Sequence, residues 1–399
     1  MFYGHFSFSG FRRCASVLAV ASILAFGSGV RPAAATTTFQ TTPLPTGTAN
    51  SHLTGVSCTS STNCVAVGNA YVSGTQTPLV LRWNRTTWTL QTTPLPTGTA
   101  TSHLTGVSCT SSTNCVAVGH ADVSGTYTPL VLRWNGVTWM LQNVQLPTGT
   151  ASSLLSGVSC ASSTNCVAVG QRIGANGFYR SLVLRWNGAT WMLQSAPLPT
   201  GTTGYNELWL SGVSCTSTTN CVAVGTASRD SDSRYQSWAV RWNGTAWTRQ
   251  NIPLSSGTTE SWLSGVSCTS STNCVAVGWA YGVWGDDSPL VLRWNGTNWK
   301  NHSDGVPVPL GTTGSGLSGV SCTSSANCVA VGYARALGTT RRLFLRWSGA
   351  GWTLRNAYPT GTTYSTLSGV SCTSSTDFIA VGSWETRSSY QRLVLRYTP

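Results

Sequence analysis

The chain has 399 residues, of which 41% are hydrophobic and only 8% are charged, and its formal net charge is +13. Ten acidic residues leave little material for the paired carboxylates of a glycosidase, and Lys300 is the sole lysine, which disfavours a nucleic-acid partner. No segment is apolar over the roughly 20 residues that a membrane-spanning helix needs, so we expect no membrane span.

Residues 1–35 have the features of a secretory signal peptide. Arg12 and Arg13 precede an apolar run from Ala15 to Phe26, and the small-residue end "AAA" stands before Thr36. We therefore expect a secreted, extracellular mature chain of residues 36–399. Without the three arginines of the leader, 20 basic and 10 acidic residues remain, which gives a net charge of +10.

The mature chain is built from seven internal repeats. "GVSCTSSTNCVAVG" stands at residues 55–68 and again at 106–119. A period near fifty residues without a helical pattern indicates a propeller or a β-solenoid, and the length of the unit favours propeller blades. The first cysteine of the motif recurs at Cys58, Cys109, Cys160, Cys215, Cys268, Cys322 and Cys372.

Each unit reads as four strands, which begin with "LTGVSC" and "NCVAVG" and continue with "PLVLRWN" and a "TWMLQ"-like segment. Four strands make one blade, so the pattern predicts a single all-β, seven-bladed β-propeller domain. Its first strands start near residues 53, 104, 155, 210, 263, 317 and 367. Four units place Asn-Gly between the last two strands, as at Asn135-Gly136, which predicts positive φ angles in a tight hairpin turn.

The two chain ends complement each other. The mature chain begins with "TTFQTTPLPTGTA", which aligns with the fourth-strand segment "WTLQTTPLPTGTA" at residues 88–100. At the other end, "LVLRYTP" stops after a third strand. The sequence therefore predicts that residues 36–43 pair with residues 392–398 and close the ring, which removes the open sheet edges.

The cysteines predict six hairpin disulfides. In six units two cysteines flank the loop between the first and second strands, and an exported protein meets an oxidising compartment. A metal site is not expected, because each unit offers two sulfurs and no nearby histidine or acid. In the seventh unit Phe378 replaces the second cysteine, so Cys372 is left unpaired, and either burial or an intermolecular disulfide is open to it. The predicted pairs are Cys58 with Cys64, Cys109 with Cys115, Cys160 with Cys166, Cys215 with Cys221, Cys268 with Cys274, and Cys322 with Cys328.

An arginine next to an aromatic residue recurs in every third strand, from Arg82-Trp83 to Arg396-Tyr397. Such a series could form an anion-binding ring. Third strands lie far from the propeller axis, however, so we expect each arginine to lie between blades on an aromatic face or a carbonyl.

The repeat resembles one family of proteins. "LRWNG" turns followed by "LSGVSCTSSTNCVAVG" are similar to the repeats of uncharacterised secreted β-propeller proteins of actinobacteria. The resemblance implies a bacterial, secreted propeller and carries no shared activity. The "WNGxxW" turn is also similar to a degraded Asp-box of sialidase-like propellers, but the aspartate and serine of the box are absent here.

The loops that vary between units indicate where a ligand would bind, because a rigid scaffold holds them. Aromatic rings stack on sugars and arginines grip carboxylates, so we predict a lectin-like module for a glycan or an extracellular protein surface. The alternatives are that the tryptophans only cover blade edges, or that the chain is a glycosidase or lyase with an axial pocket. We expect a monomer with no cofactor, no metal, no catalytic residue and no nucleic acid. The candidate ligand residues are Trp209, Trp279, Trp284, Trp384, Tyr281, Tyr333, Arg180, Arg234, Arg341 and Arg342.

Overall fold

A computed structural model describes residues 36–199, 207–228, 234–282, 285–355, 364–386 and 389–398. These residues form 28 strands in seven four-stranded antiparallel sheets, which confirms the predicted all-β, seven-bladed propeller. In these ranges there is no helix of the length and apolar character that a membrane crossing requires. The predicted signal peptide and Trp284 lie outside the described residues.

Blades 1–6 each use four consecutive strands, ordered from the axis outwards, and blade 7 combines the last three strands with the first one. Blades 1–3 contain β2 (Thr48–Ser60), β3 (Asn63–Val72), β4 (Thr75–Trp83), β5 (Trp88–Leu90), β6 (Thr99–Ser111), β7 (Asn114–Val123), β8 (Thr126–Trp134), β9 (Trp139–Leu141), β10 (Thr150–Ser162), β11 (Asn165–Gly174), β12 (Tyr179–Trp186) and β13 (Trp191–Gln194). Blades 4–6 contain β14 (Leu208–Ser217), β15 (Asn220–Ser228), β16 (Tyr235–Trp242), β17 (Trp247–Gln250), β18 (Thr258–Ser270), β19 (Asn273–Gly282), β20 (Asp287–Trp294), β21 (Trp299–Asn301), β22 (Thr312–Ser324), β23 (Asn327–Ala336), β24 (Thr339–Trp347) and β25 (Trp352–Leu354). Blade 7 contains β26 (Ser365–Cys372), β27 (Phe378–Glu385), β28 (Tyr390–Thr398) and β1 (Thr36–Phe39).

The seventh sheet contains both ends of the described chain. β1 pairs antiparallel with β28, and Thr37 lies opposite Tyr397. In blade 1 the corresponding pair is Trp88 opposite Trp83, so β1 carries a threonine where the outer strands of blades 1–6 carry a tryptophan.

The "GVSC" segment explains how neighbouring blades meet at the axis. A Cβ added at Gly55 would lie 3.3 Å from the Cα of Gly106 in the next blade, so a side chain here would push the two backbones apart by a few tenths of an ångström. Two residues further on, Ser57 Oγ accepts a 3.0 Å hydrogen bond from the N–H of Cys109. The same bond recurs between every pair of adjacent blades, at 2.9–3.0 Å, including Ser371 of blade 7 with Cys58 of blade 1.

The six cysteine pairs predicted from the repeat are all disulfide-bonded, and Cys372 is free. Each bond joins the end of a first strand to the start of the second, where the two cysteines lie directly opposite each other in the sheet. In blade 7 the position opposite Cys372 is occupied by Phe378. The disulfides are Cys58 with Cys64, Cys109 with Cys115, Cys160 with Cys166, Cys215 with Cys221, Cys268 with Cys274, and Cys322 with Cys328.

Six of the seven third-strand arginines have contacts that place them between blades, as expected. Arg82 lies 4.7 Å from the ring centre of Trp134 in the next blade and donates to the carbonyl of Ser112 at 2.6 Å. Five further third-strand arginines make the same two contacts. The propeller is therefore held together by repeated contacts between blades.

The Asn-Gly turns differ from the prediction in one respect. Gly136 has the expected positive φ of 101°, but Asn135 does not take a positive φ. Its side-chain oxygen instead accepts hydrogen bonds from the N–H groups of Val137 and Thr138, at 2.9 and 2.8 Å. Asparagine is used here for an Asx turn, in which its side chain caps the loop.

Candidate functional site

The blades differ in chemistry at one pair of positions, where the first and second strands lie opposite each other on the side of the variable loops. We call these residues the variable pair. They are His52 with Asn69 in blade 1, His103 with His120 in blade 2, Leu154 with Gln171 in blade 3, Trp209 with Thr226 in blade 4, Trp262 with Trp279 in blade 5, Gly316 with Tyr333 in blade 6, and Thr366 with Ser383 in blade 7.

In blades 4–6 the variable pairs build a row of aromatic rings. Tyr235, at the start of β16, lies between Trp209 and Trp262, with ring centres 5.9 and 5.2 Å away. Trp262 then stacks on Trp279 at 3.6 Å, with an angle of 10° between the ring planes. Tyr333 lies beyond Trp279 in blade 6, where the guanidinium of Arg335 lies 5.1 Å from its ring centre. All five side chains are half-buried, and we call them the aromatic ladder.

A glycine makes room for the end of the ladder in blade 6. A Cβ added at Gly316 would lie 3.0 Å from the ring of Tyr333 and 3.1 Å from the Cβ of Trp279. Other blades carry a side chain at this position, such as Trp262 in blade 5. Because blade 6 has no side chain at this position, Trp279 and Tyr333 can approach each other across the boundary between blades 5 and 6.

Two carboxylates flank the ladder at Tyr235. The phenol of Tyr235 donates a 2.5 Å hydrogen bond to Glu207 Oε2, and the backbone N–H of Tyr235 donates to Glu260 Oε1 at 3.2 Å. The hydrogen bond to Glu207, together with burial and the charges of Glu207 and Glu260, raises the pKa of Tyr235 to about 12. The phenol is therefore a hydrogen-bond donor at neutral pH, and both carboxylates belong to the same site.

Histidines occupy the variable pair on the other side of the ring. His103 and His120 lie 5.5 Å apart, and the edge of Tyr127 contacts His120 at 5.2 Å. Burial, followed by the charges of His120 and His52, lowers the pKa of His103 to about 4, so its imidazole is neutral under physiological conditions. Across the part of the chain that the structure describes, no three histidine, cysteine or acidic residues are grouped to hold a metal ion.

The ladder brings together three of the residues predicted from sequence, Trp209, Trp279 and Tyr333. Tyr281 lies opposite Glu260 in the sheet and is 36% exposed. Arg234 directly precedes Tyr235 and is exposed. These five candidates belong to blades 4–6 and lie at or beside the ladder.

The other four described candidates lie in different environments. Trp384 packs against the core of blade 7. Arg180 lies 5.6 Å from Phe178 in blade 3, and exposed Arg341 donates to Thr339. Arg342 lies opposite Tyr333 in the sheet of blade 6, but it is only 4% exposed and lies over Phe39. Because successive residues of a strand point to opposite faces, adjacent Arg341 and Arg342 occupy different environments.

Four residues of the site were not among the candidates predicted from sequence: Tyr235, Trp262, Glu207 and Glu260. Trp262 could have been found, because it occupies the repeat position of His52 and Trp209. Tyr235 could not, since its place beside Trp262 depends on how blade 4 packs on blade 5. The two glutamates are recognised only through Tyr235.

Comparison with solved structures places the chain among propellers of very different sequence. YCF48 bound to D1 peptide aligns with 14% identity and a TM-score of 0.52, covering 92% of this chain and 97% of that one. The PL25 ulvan lyase bound to -[GlcA(1-4)Rha3S]- aligns with 10% identity and a TM-score of 0.52, covering 86% and 93%. A GH74 xyloglucanase from Xanthomonas campestris gives 13% and 0.52, and the alignment covers 90% of this chain but 55% of the enzyme.

At these identities the likeness concerns the fold alone. No protein-family model and no curated protein matches the chain. The resemblance of its repeat to the actinobacterial propeller proteins therefore stays a prediction. The six disulfides fit an oxidising, extracellular environment.

Proposed function

We propose that this protein is a secreted glycan-binding propeller whose ligand lies on the aromatic ladder of blades 4–6. The observation that carries the proposal is the variable pair. Blades 1, 2, 3 and 7 fold with His52, His103, Leu154 and Thr366 at the first position of that pair, so blade packing does not require an indole there. Blade packing therefore does not explain why half-buried aromatic rings are concentrated in blades 4–6, and we attribute them to ligand binding.

A sugar ligand fits the chemistry of the ladder. The half-buried aromatic rings offer apolar surface to the C–H groups of a pyranose, and the carboxylates of Glu207 and Glu260 accept hydrogen bonds from hydroxyl groups. Structural neighbours of this fold hold a peptide in one case and a saccharide in another. The alternation of rings and hydrogen-bonding groups favours the saccharide for this chain.

The repeat supplies a matched test of the proposal. Trp262→Leu together with Trp279→Gln rebuilds the variable pair of blade 5 as that of blade 3, which uses Leu154 and Gln171. We expect this double variant to melt within a few degrees of the parent and to lose its glycan binding. Met140→Thr copies Thr89 on an outer strand and serves as the control that retains binding.

A glycan array probed with the mature protein identifies the ligand, and titration calorimetry compares the variants. Loss of affinity in the blade 5 variant, at unchanged stability, supports the proposal. Equal affinity in parent and variant contradicts it. A variant that unfolds also contradicts it, because the tryptophans would then be part of the core. Binding of a protein ligand in place of any glycan would favour an extracellular protein partner.

An enzyme of glycosidase or lyase type is the second candidate, favoured by the two carboxylates that contact one tyrosine. Glycosidases act through a pair of carboxyl groups, and Glu207 and Glu260 both accept hydrogen bonds from Tyr235. Incubation of the identified glycan with the protein, followed by a reducing-end assay, tests for cleavage. Release of ends by the parent and not by Glu207→Gln would establish catalysis, and no release leaves a binding module.

A further inference from the structure

The acidic residues of this basic protein are unevenly distributed along the chain. Seven of its ten acids lie between residues 207 and 304, in the segment that supplies most of the ladder. They are Glu207, Asp230, Asp232, Glu260, Asp286, Asp287 and Asp304. The ladder therefore lies in the most acidic part of a chain whose mature net charge is positive.

The two carboxylates at the ladder are bonded to neutral groups of Tyr235. Their hydrogen-bond partners are its phenol and its backbone N–H. Within the described ranges neither Glu207 nor Glu260 forms an ion pair, whereas Asp287 pairs with Arg335 at 3.1 Å and Asp377 with Arg396 at 3.6 Å. A carboxylate has about four acceptor positions, so each glutamate can accept further bonds from a ligand.

Ring faces and carboxylates of this kind favour the same ligand group. A carboxylate attracts a cation through its charge, and at the end of the ladder the ring of Tyr333 already has a cation over it, the guanidinium of Arg335 at 5.1 Å from the ring centre. An acidic glycan, by contrast, would be repelled by Glu207 and Glu260, and this argues against the acidic ligand that arginines in the loops would suit. Trp262 and Trp279 cover each other's faces, so a sugar would contact the exposed parts of these two half-buried indoles.

On these grounds we infer that the ligand of the ladder is a glycan that carries protonated amino groups, that is, a polymer of unacetylated amino sugar. This inference rests on the proposed function and adds the charge of the ligand to it. An ammonium group of the polymer would lie beside a carboxylate, and C–H groups of the sugar would contact the exposed parts of the indoles.

The test compares two oligosaccharides that differ in acetylation and therefore in charge. A glucosamine hexamer and an N-acetylglucosamine hexamer are titrated into the mature protein in mildly acidic buffer, where the free amines are protonated. We expect the glucosamine hexamer to bind at least about tenfold more tightly, a difference of about 1.4 kcal/mol. Added salt should weaken its binding, because ionic contacts at exposed sites are screened.

A double variant, Glu207→Gln with Glu260→Gln, keeps the shape of both side chains and removes their charge. We expect it to bind the glucosamine hexamer about tenfold or more weakly than the parent while its melting temperature stays close to the parental value. Asp122→Asn removes one negative charge from blade 2 and serves as the control that binds like the parent.

The outcomes separate the inference from the function on which it rests. Tighter binding of the acetylated hexamer, or full affinity in the glutamine variant, overturns the inference and leaves glycan binding in place. If neither hexamer binds and a neutral or acidic glycan does, the inference is again wrong and the function stands. If no glycan binds and a lysine-rich peptide does, both the inference and the proposed function are wrong.

Discussion

Substitution by alanine should affect stability in opposite directions at two glycines of the same strand. Gly278 and Gly282 both lie in β19, four residues apart. A Cβ added at Gly278 would lie 1.9 Å from the carbonyl oxygen of Trp262 and 2.9 Å from the Cα of Leu263, whereas a Cβ at Gly282 meets nothing within 4 Å. The two substitutions are chemically identical and differ only in the space that the methyl group finds.

The expected magnitudes follow from those distances. The clash at Gly278 is with backbone atoms, so β18 and β19 must move apart, and we expect Gly278→Ala to cost about 3 kcal/mol or more. At about 2 °C per kcal/mol for a chain of this size, its melting temperature should fall by about 6 °C or more. Gly282→Ala should raise stability slightly, by about 0.4–1 kcal/mol, because alanine restricts the unfolded chain.

The same substitution should disturb the candidate site. Gly278 lies opposite Leu263, and moving the two strands apart separates Trp262 from Trp279, which stack at 3.6 Å. Differential scanning calorimetry measures stability, and near-ultraviolet circular dichroism reports on the stacked indoles. Equal melting temperatures for the two alanine variants would refute the reasoning, because a methyl group cannot share the space of a carbonyl oxygen.

Three further predictions concern the ring, the free thiol and pH. Deleting residues 36–43 should expose the edge of β28 and lower the melting temperature, and a deletion variant that stays monomeric and melts like the parent would contradict a stabilising closure. Cys372 is half-buried, and its burial raises the pKa of its thiol to about 12, so in a protein produced from residue 36 onwards a thiol reagent should modify one group, much more slowly before denaturation than after it; two groups would contradict the six disulfides. The pKa of His103 is about 4 in the folded protein and about 6.5 in the unfolded chain. Protonation of His103 therefore lowers the free energy of unfolding, by about 3 kcal/mol as the pH drops from about 6.5 to about 4, and has no effect above that range. His103→Leu, which copies Leu154, should remove this loss of stability at low pH. Urea titrations at several pH values measure the free energy of unfolding, and an unchanged pH dependence in the variant would exclude His103 as the source of the loss.

The repeat made the scaffold predictable from sequence. Glycine, serine and cysteine recur together in "GVSC" because three separate contacts with a fixed geometry depend on them, as Gly55, Ser57 and Cys58 illustrate. A contact that recurs in six or seven blades leaves a copy of its residue pattern in each of them. The disulfides and the arginines between blades were predicted for this reason.

The site was less predictable because its residues occur once each. Arg341 and Arg342 look equivalent in the sequence, yet the alternation of a strand exposes the first and buries the second. Tyr235 and Trp262 are far apart in the chain, and their contact depends on the packing of two blades. The sequence shows that aromatic residues are present in and beside the variable loops. Which of them contact one another depends on the register of the strands, and this could not be predicted from the sequence.

Blade 7 departs from the repeat at several positions that contact each other. Phe378 replaces a cysteine, Tyr397 and Thr37 replace tryptophans, and Phe344 of blade 6 stacks on Phe378 at 5.1 Å. Phe378 in turn stacks on Tyr397 at 4.6 Å. A hollow of about 30 Å³, lined by Thr37, Phe344 and Phe378, remains between blades 6 and 7.

We therefore expect blade 7 to open before the other blades. It lacks a hairpin disulfide, which is worth about 2 kcal/mol for so short a loop, and its outer strand β1 has four exposed residues and no tryptophan. Hydrogen exchange followed by mass spectrometry should show β1 and β28 exchanging sooner than β13 and β12, their counterparts in blade 3. Restoring the cysteine with Phe378→Cys would leave a cavity where the ring stack had been, so the disulfide alone should not slow exchange to the level of blade 3. If β28 exchanges as slowly as β12 in the parent protein, the aromatic stack compensates fully for the missing cross-link and the reasoning fails.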